Sequence, residues 1–273
     1  MLPLLVDFGR HDLPWFGETH LFLPTYGALF ALAALVAWSW FLRRGRALGV
    51  ADDRLFNISF YSLLGGIVGA KLALVALDWR TYLADPAALA GVLRSAGVLM
   101  GGVIGGAVVF VLYARRQGLP LHALGDAVAA PLALGQAIGR LGCFAAGCCW
   151  GRSCDPRHPL AVTFRNPVAH EQTGVPLGVP LVPVQLIQLA SDLLLALLLA
   201  ALWRRRLEPP GTVFWLYVVL YGLTRGTIEF WRGDVQRGLH FGGTLSTSQS
   251  IAIVAVALGA VMLVSGVVRR RRA

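Results

Sequence analysis

Lys71, Asp126, Arg140, Arg225 and Glu229 all fall within or at the ends of long apolar runs. A charge at the centre of a bilayer costs about 2.5–3.5 kcal/mol on insertion scales, so ionisable groups in such runs need partners or a purpose. Arg225 and Glu229 are four residues apart and share one helix face, with Tyr221 four residues earlier on the same face. Taken alone, that pair could be a structural ion pair. Adding Lys71 and Arg140 gives three cations against one anion at the outer ends of their runs. Such a surplus is tolerable where an anion binds, and in a membrane the obvious anion is a phospholipid phosphate. A guanidinium offers a planar fork suited to phosphate oxygens.

A second concentration of chemistry is the stretch from Gly139 to Gly151. Glycines at 139, 142, 147 and 151 surround Arg140 at a helix end, and free backbone N–H groups in such a loop can bind an anion. All four cysteines, Cys143, Cys148, Cys149 and Cys154, lie in or beside it. There is no C-x-x-C pair. Three readings stay open: a disulfide outside the cytoplasm, a metal site with His158 as an extra ligand, or small thiols packing the loop. Tyr26 opens an apolar run in Pro24-Thr25-Tyr26-Gly27, where an interfacial aromatic anchor is the default reading.

The elements that must position these residues are membrane helices. Of 273 residues, 56% are hydrophobic and 14% charged, and the mean hydropathy is +0.66. Soluble domains carry roughly 25% charged residues. The formal charge is +10, but the basic residues cluster at the ends of apolar runs, the membrane pattern rather than a nucleic-acid one. Apolar runs at 23–42, 55–77, 97–114, 121–138, 184–203, 213–230 and 251–268 predict about seven transmembrane helices and an all-α, polytopic membrane protein. The fourth is short and holds Asp126 and Pro131. Arginines at 43, 44, 46 and 54, at 115 and 116, at 204 to 206 and at 269 to 272 fall on one side only if that span is counted. The positive-inside rule makes that side cytoplasmic, with the N-terminus outside and the C-terminus inside. The chain then reads as a single transmembrane domain, 1–273, with residues 140–183 as an extracytoplasmic cap too long to be a passive link. Short strands around residues 160–164 are expected within it. No secretory leader is expected, because acidic and aromatic residues precede the first run and no small-residue cleavage site follows.

Small residues crowd two spans: Gly65, Gly66, Gly69 and Ala70 in the second, and Gly101, Gly102, Gly105 and Gly106 in the third. They predict close helix packing, and could also make room for lipid chains.

The stretch Gly139-Arg140-Leu141-Gly142-Cys143-Phe144, ending at Gly151, resembles the signature of the bacterial prolipoprotein diacylglyceryl transferases, which begins Gly-Arg-x-Gly-Asn-Phe. The resemblance runs through most of the chain. Tyr26-Gly27 is similar to the family's first-span Tyr-Gly. Lys71 stands where the family has an arginine. Gly101-Gly102 resembles its His-Gly-Gly motif, with Met100 in place of the histidine. Asp126 matches an aspartate 14 residues before the signature arginine. Pro183-Val184-Gln185-Leu186 resembles its Pro-x-Gln-Leu, with Val182 where a histidine precedes it. Tyr221-Gly222-Leu223-Thr224-Arg225 through Glu229-Phe230 resembles its late-span segment, and Leu245-Ser246-Thr247-Ser248-Gln249 its entry into the last span. Cys143 replaces the signature asparagine, and Cys148 an acidic or polar residue.

The resemblance implies a seven-span enzyme of the bacterial inner membrane, with its active site on the extracytoplasmic side. Such an enzyme transfers diacylglyceryl from phosphatidylglycerol to the lipobox cysteine of a prolipoprotein, makes a thioether and releases glycerol phosphate. It implies no metal or cofactor and no nucleic-acid partner. Arg140, Arg225, Glu229 and Tyr26 become the expected catalytic residues. Lys71, Asp126, Gly139, Gly142, Cys143, Gly151, Gln185 and Tyr221 become the expected substrate-binding ones. Two other readings remain: a paralogue using the same donor with another acceptor, and a phospholipid-binding or transport protein without chemistry.

Overall fold

The computed structural model of the chain describes residues 2–13, 17–85, 88–94, 97–234, 238–240 and 244–272. Six of its helices are long and apolar enough to cross a membrane. They are α1 (Thr25–Arg46), α2 (Asp52–Leu77), α5 (Leu99–Arg116), α6 (Leu121–Ala146), α8 (Val184–Arg204) and α10 (Thr247–Arg272). Between α2 and α5 lie the short helices α3 (Trp79–Ala84) and α4 (Leu89–Arg94), and α7 (Pro167–Thr173) lies between α6 and α8. A further apolar helix, α9 (Thr212–Ile228), has 17 residues and runs into a 3-10 turn, Glu229–Trp231. Large apolar side chains such as Leu194, Leu197, Val254 and Val261 stay exposed, as expected of helices whose solvent is lipid.

The chain divides into two compact units, 41–124 and the combination of 1–40 with 125–273. In the first, α2 and α5 meet along their glycines. A Cβ on Gly69 would lie 2.4 Å from the carbonyl oxygen of Gly101, and one on Gly105 would lie 2.3 Å from that of Gly65. Only hydrogen in place of a side chain permits that approach, which is the packing the spacing predicts. Lys71, on α2, donates from Nζ to the Val92 carbonyl at 2.7 Å. Met100 lies in the first turn of α5.

In the second unit, α6, α8 and α9 share a core of Ala129, Ala130, Ala133, Leu195, Ala196, Leu199, Val213 and Tyr217. The alanines let the helices close, and α9 meets α10 where Gly222 faces Val256 and Ala252. Helix α6 continues through Pro131 and beyond the end of its apolar run, so Arg140, Gly142 and Cys143 belong to its last turns rather than to the loop. Proline removes one rung of the ladder, which a helix of 26 residues tolerates. The connection proper runs from Gly147 to Pro183. It has its own small core of Phe164, Ala169, Val175 and Leu181. A strand is there near 160–164, β3 (Val162–Thr163), and it pairs antiparallel with β4 (Pro180–Leu181), which the sequence did not announce. An element the apolar runs did not predict precedes α1, a hairpin of β1 (Leu4–Leu13) and β2 (Gly17–Pro24). Asp7 and His20 pair across it at 2.8 Å.

Candidate active site

Helix α9 delivers Arg225 and Glu229 one turn apart. The Arg225 guanidinium donates through one amino group to Glu229 and through the other to Ser248 Oγ at 3.0 Å. Glu229 is almost fully buried, at 2% exposure. The pair that helical spacing predicts therefore forms, and Ser248 at the start of α10 fixes its second edge. Immediately after the 3-10 turn comes Arg232. Its Nε lies 4.0 Å from Glu229, and the guanidinium forks onto Asp234.

Arg140 sits on α6 among Tyr221, Cys143, Cys149 and Asp192, and Tyr221 shares a hydrogen bond with it. Tyr221 stacks on Tyr217, whose hydroxyl donates to Gln136 at 3.0 Å. Helix α8 supplies three buried polar residues. Gln185 Nε2 donates to the Cys148 carbonyl at 2.8 Å, and Gln188 Nε2 donates to Asp192 Oδ1 at 2.8 Å. Gln185 Oε1 and Asp192 Oδ2 are buried without a hydrogen-bond partner among the described residues. Both oxygens can accept a further hydrogen bond.

These groups converge. Arg140, Cys149, Val184, Gln185, Gln188, Arg225 and Arg232 line one small cleft. Three guanidiniums reach this cleft, with Glu229 between Arg225 and Arg232, Asp234 on the far edge of Arg232 and Asp192 beside Arg140; guanidinium forks of this kind suit phosphate oxygens.

The loop after α6 is shaped by its backbone. Gly147 adopts a left-handed conformation at φ 81°, and Cys148 N–H donates back to the Cys143 carbonyl at 3.1 Å. This is the cap that commonly ends a helix at glycine. Cys149 also has a positive φ, 57°, rare for a residue with a side chain. The result brings Cys143, Cys148 and Cys149 together, with their Sγ atoms all within 4.8 Å of one another. All four cysteines are free thiols; Cys154 stands apart from the cluster of three, and His158 instead uses Nδ1 to accept from the Leu160 N–H at 3.2 Å. The sulfurs of Cys143 and Cys148, then Arg232 and Arg140, hold Cys149 well below the usual thiol range, while hydrogen bonds to Cys143 and Cys149 and burial push Cys148 up. Gly151 closes the loop: a Cβ there would lie 2.2 Å from the Val182 carbonyl, and Gly151 bridges to Arg232 on its other side. The glycine thus lets the cap loop reach the residue that carries the third guanidinium.

The expected residues divide as follows. Arg140, Arg225, Glu229, Tyr221, Cys143 and Gln185 come together. Tyr26 joins them, its ring 3.2 Å from where a Gly142 Cβ would lie and Cys143, Cys148, Cys149 and Arg140 among its electrostatic neighbours. Gly139 meets nothing within 4 Å at its Cβ position. Asp126 is at the other end of α9, where its carboxylate accepts from the N–H groups of Gly211 at 2.6 Å and Phe214 at 2.8 Å. There it satisfies donors that a helix start leaves open. Lys71 belongs to the unit of residues 41–124 and bonds within it. Arg232 and Asp192 were not among the residues singled out in the sequence. A lone aspartate in the apolar run of α8 was a readable signal for Asp192; Arg232 lies beyond its run and had none.

The prolipoprotein diacylglyceryl transferase family profile matches residues 17–265. The chain is 36% identical over 235 residues to a phosphatidylglycerol–prolipoprotein diacylglyceryl transferase of Clostridium tetani, covering 86% of this chain and 89% of that one. It is 32% identical to a second such protein from Clostridium perfringens, over 88% of this chain and 89% of the relative. A relative of the same name from Synechococcus elongatus is 31% identical over 96% of this chain and 86% of its own length. The cationic cleft lined from α6, the loop after it, α8, α9 and Arg232 thus lies within the matched region, and the chain belongs to the prolipoprotein diacylglyceryl transferase family.

Proposed function

We propose that this protein transfers a diacylglyceryl group from phosphatidylglycerol to the lipobox cysteine of a prolipoprotein, forming a thioether and releasing glycerol phosphate. The observation that carries the reading is the convergence of Arg140, Arg225 and Arg232 on one cleft. The acceptor thiolate attacks the glyceryl carbon that bears the phosphate ester. The carbon–oxygen bond breaks, and the leaving glycerol phosphate keeps the electron pair. Guanidiniums fixed in advance stabilise that charge as it develops, an effect worth about 2.7–4 kcal/mol per well-placed donor. Glu229 positions Arg225 and lowers the repulsion between Arg225 and Arg232. Gln185 Oε1, buried and open, could accept from a headgroup hydroxyl, which favours a donor lipid whose headgroup is a polyol. Tyr26, beside the thiol cluster, is placed to take part in proton movement, whereas Asp126 is engaged at the far end of α9.

The setting is a bacterial inner membrane, crossed seven times if α9 spans, with the N-terminus outside and the cleft facing the extracytoplasmic side. The arginine clusters and the family's topology support that orientation. At 17 residues, α9 is about 25 Å long at 1.5 Å per residue, near the lower limit for a span. Purified protein in phosphatidylglycerol micelles, given a lipobox peptide, should yield thioether-linked peptide, and Arg140→Ala and Arg225→Ala should each lose the product. Full activity in both variants would overturn the assignment. Met100, in place of the family's histidine, gives weight to a second reading: the same donor with another acceptor. Complementation of a strain depleted of its own transferase separates the two, since growth requires prolipoproteins as acceptors.

A further inference from the structure

The chain has Met100 where its family places a histidine before the glycine pair, and Cys143 where the family has asparagine. The second departure adds a sulfur to a group of three. The cap at Gly147 folds Cys148 back onto the last turn of α6, and the left-handed backbone of Cys149 turns its side chain to the same side. Three sulfurs then lie within 4.8 Å of one another. Zinc–sulfur bonds of about 2.3 Å in a tetrahedron put neighbouring sulfurs about 3.8 Å apart, so side-chain adjustments of under about an ångström complete the shell. No histidine or carboxylate among the described residues joins the group. Three protein ligands with a fourth position open is the arrangement of catalytic rather than structural zinc. Gln185 donates to the Cys148 carbonyl, the kind of outer contact that fixes the orientation of a ligand.

We propose that Cys143, Cys148 and Cys149 hold a zinc ion through their sulfurs, and that its open position takes the acceptor thiol of the transfer reaction. The proposal rests on the transferase reading above. A zinc-bound thiol gives up its proton, so the acceptor becomes a thiolate without a histidine at position 100. The step balances: the acceptor thiol loses a proton to solvent on binding zinc, and its sulfur pair then forms the bond to the glyceryl carbon. The ester carbon–oxygen bond breaks, and glycerol phosphate leaves with that pair. The thioether product, a neutral and weaker ligand, leaves the metal. Zinc with four thiolates carries two negative charges. Cys149 shares its cleft with Arg140, Arg225 and Arg232, which offset that charge and hold the phosphate within reach of the attacking sulfur.

The test uses the full chain, purified anaerobically in detergent without a polyhistidine tag. Elemental analysis should find about one zinc per chain. In Cys143→Ser and Cys149→Ser, and in Cys143→Asn, which restores the residue of the family signature, it should fall below about one tenth of that. Cys154→Ser should keep its zinc. Cobalt substitution gives a second readout. The sulfur-to-metal charge-transfer band should rise by roughly one third when a lipobox peptide supplies a fourth sulfur to the three, and should not change with the Cys→Ser peptide. A zinc-free wild type, copper in place of zinc, a disulfide among the three cysteines, or a cobalt spectrum indifferent to the peptide thiol would each overturn the proposal. Full transfer by metal-free protein would overturn it while leaving the transferase reading intact. A zinc-loaded protein that passes every metal test and makes no thioether would instead overturn the transferase reading on which the proposal rests.

Discussion

The glycine seam between α2 and α5 and the charged end of α9 are held together by opposite means. In the seam the residues are small and the backbones touch; a single added carbon would strike a carbonyl at 2.3 Å or 2.4 Å. At the end of α9 the residues are large and charged, and each is held by a named partner. Glu229 receives Arg225, Ser248 receives the other edge of that guanidinium, and Asp234 receives Arg232. The seam gains its stability from dispersion over many atoms. The charged end is expensive to bury and is organised around a cleft. The first should therefore be sensitive to volume and indifferent to charge, and the second the reverse.

The sharpest way to break that contrast is at Arg140 and Arg225. Alanine at either should lower kcat/KM for lipid transfer by about 10²–10³-fold, with helix content by circular dichroism unchanged. Glu229→Ala comes next. It leaves a buried Arg225 without its carboxylate, a loss of about 3–5 kcal/mol when one partner of a buried pair is removed, and should show as a lower melting temperature in detergent together with a raised KM for the lipid. Gly105→Ala probes the seam, and should destabilise by about 1–3 kcal/mol through overpacking while residual folded protein keeps its kcat. The smallest effect is expected at Asp126→Asn. One oxygen acceptor survives, so a loss of about 1 kcal/mol, the lower end of the cost of an unsatisfied buried donor, is expected without a change in KM for phosphatidylglycerol. A raised KM there would return Asp126 to the substrate-binding set.

Much of this layout was legible because membrane sequences write their helices plainly. Apolar length marked the spans, glycine spacing marked the seam, and four-residue spacing marked Tyr221, Arg225 and Glu229. The limits were set by what depends on the chain returning to itself. The end of α6 was placed too early because Arg140 and Gly142 look like loop residues, yet a helix can carry both into its last turns when Tyr26 and Tyr221 receive them. Arg232 lines the cleft at a position that bridges by its backbone to Gly151, a pairing of segments distant in sequence. The sulfurs of Cys143, Cys148 and Cys149 meet because of two left-handed residues, and no ligand spacing in the sequence announces that. Asp126 enters the expected binding set through its match to the family's aspartate, and its bonds to the N–H groups at the start of α9, 85 and 88 residues along the chain, have no local signal.

That last contact has a mechanical consequence. Helix α9 is pinned at its start by Asp126 and at its finish by the pairing of Arg225 with Ser248. A rod fastened at both ends cannot slide along its axis, and a shift of one residue would displace its tip by about 1.5 Å. Asp126 thus acts as a datum for the distant guanidinium. A lipid headgroup arriving at Arg225 meets a depth gauge set some twenty ångströms away (roughly the length of the helix), and the height at which the ester is presented to its nucleophile is decided at the opposite face of the bundle.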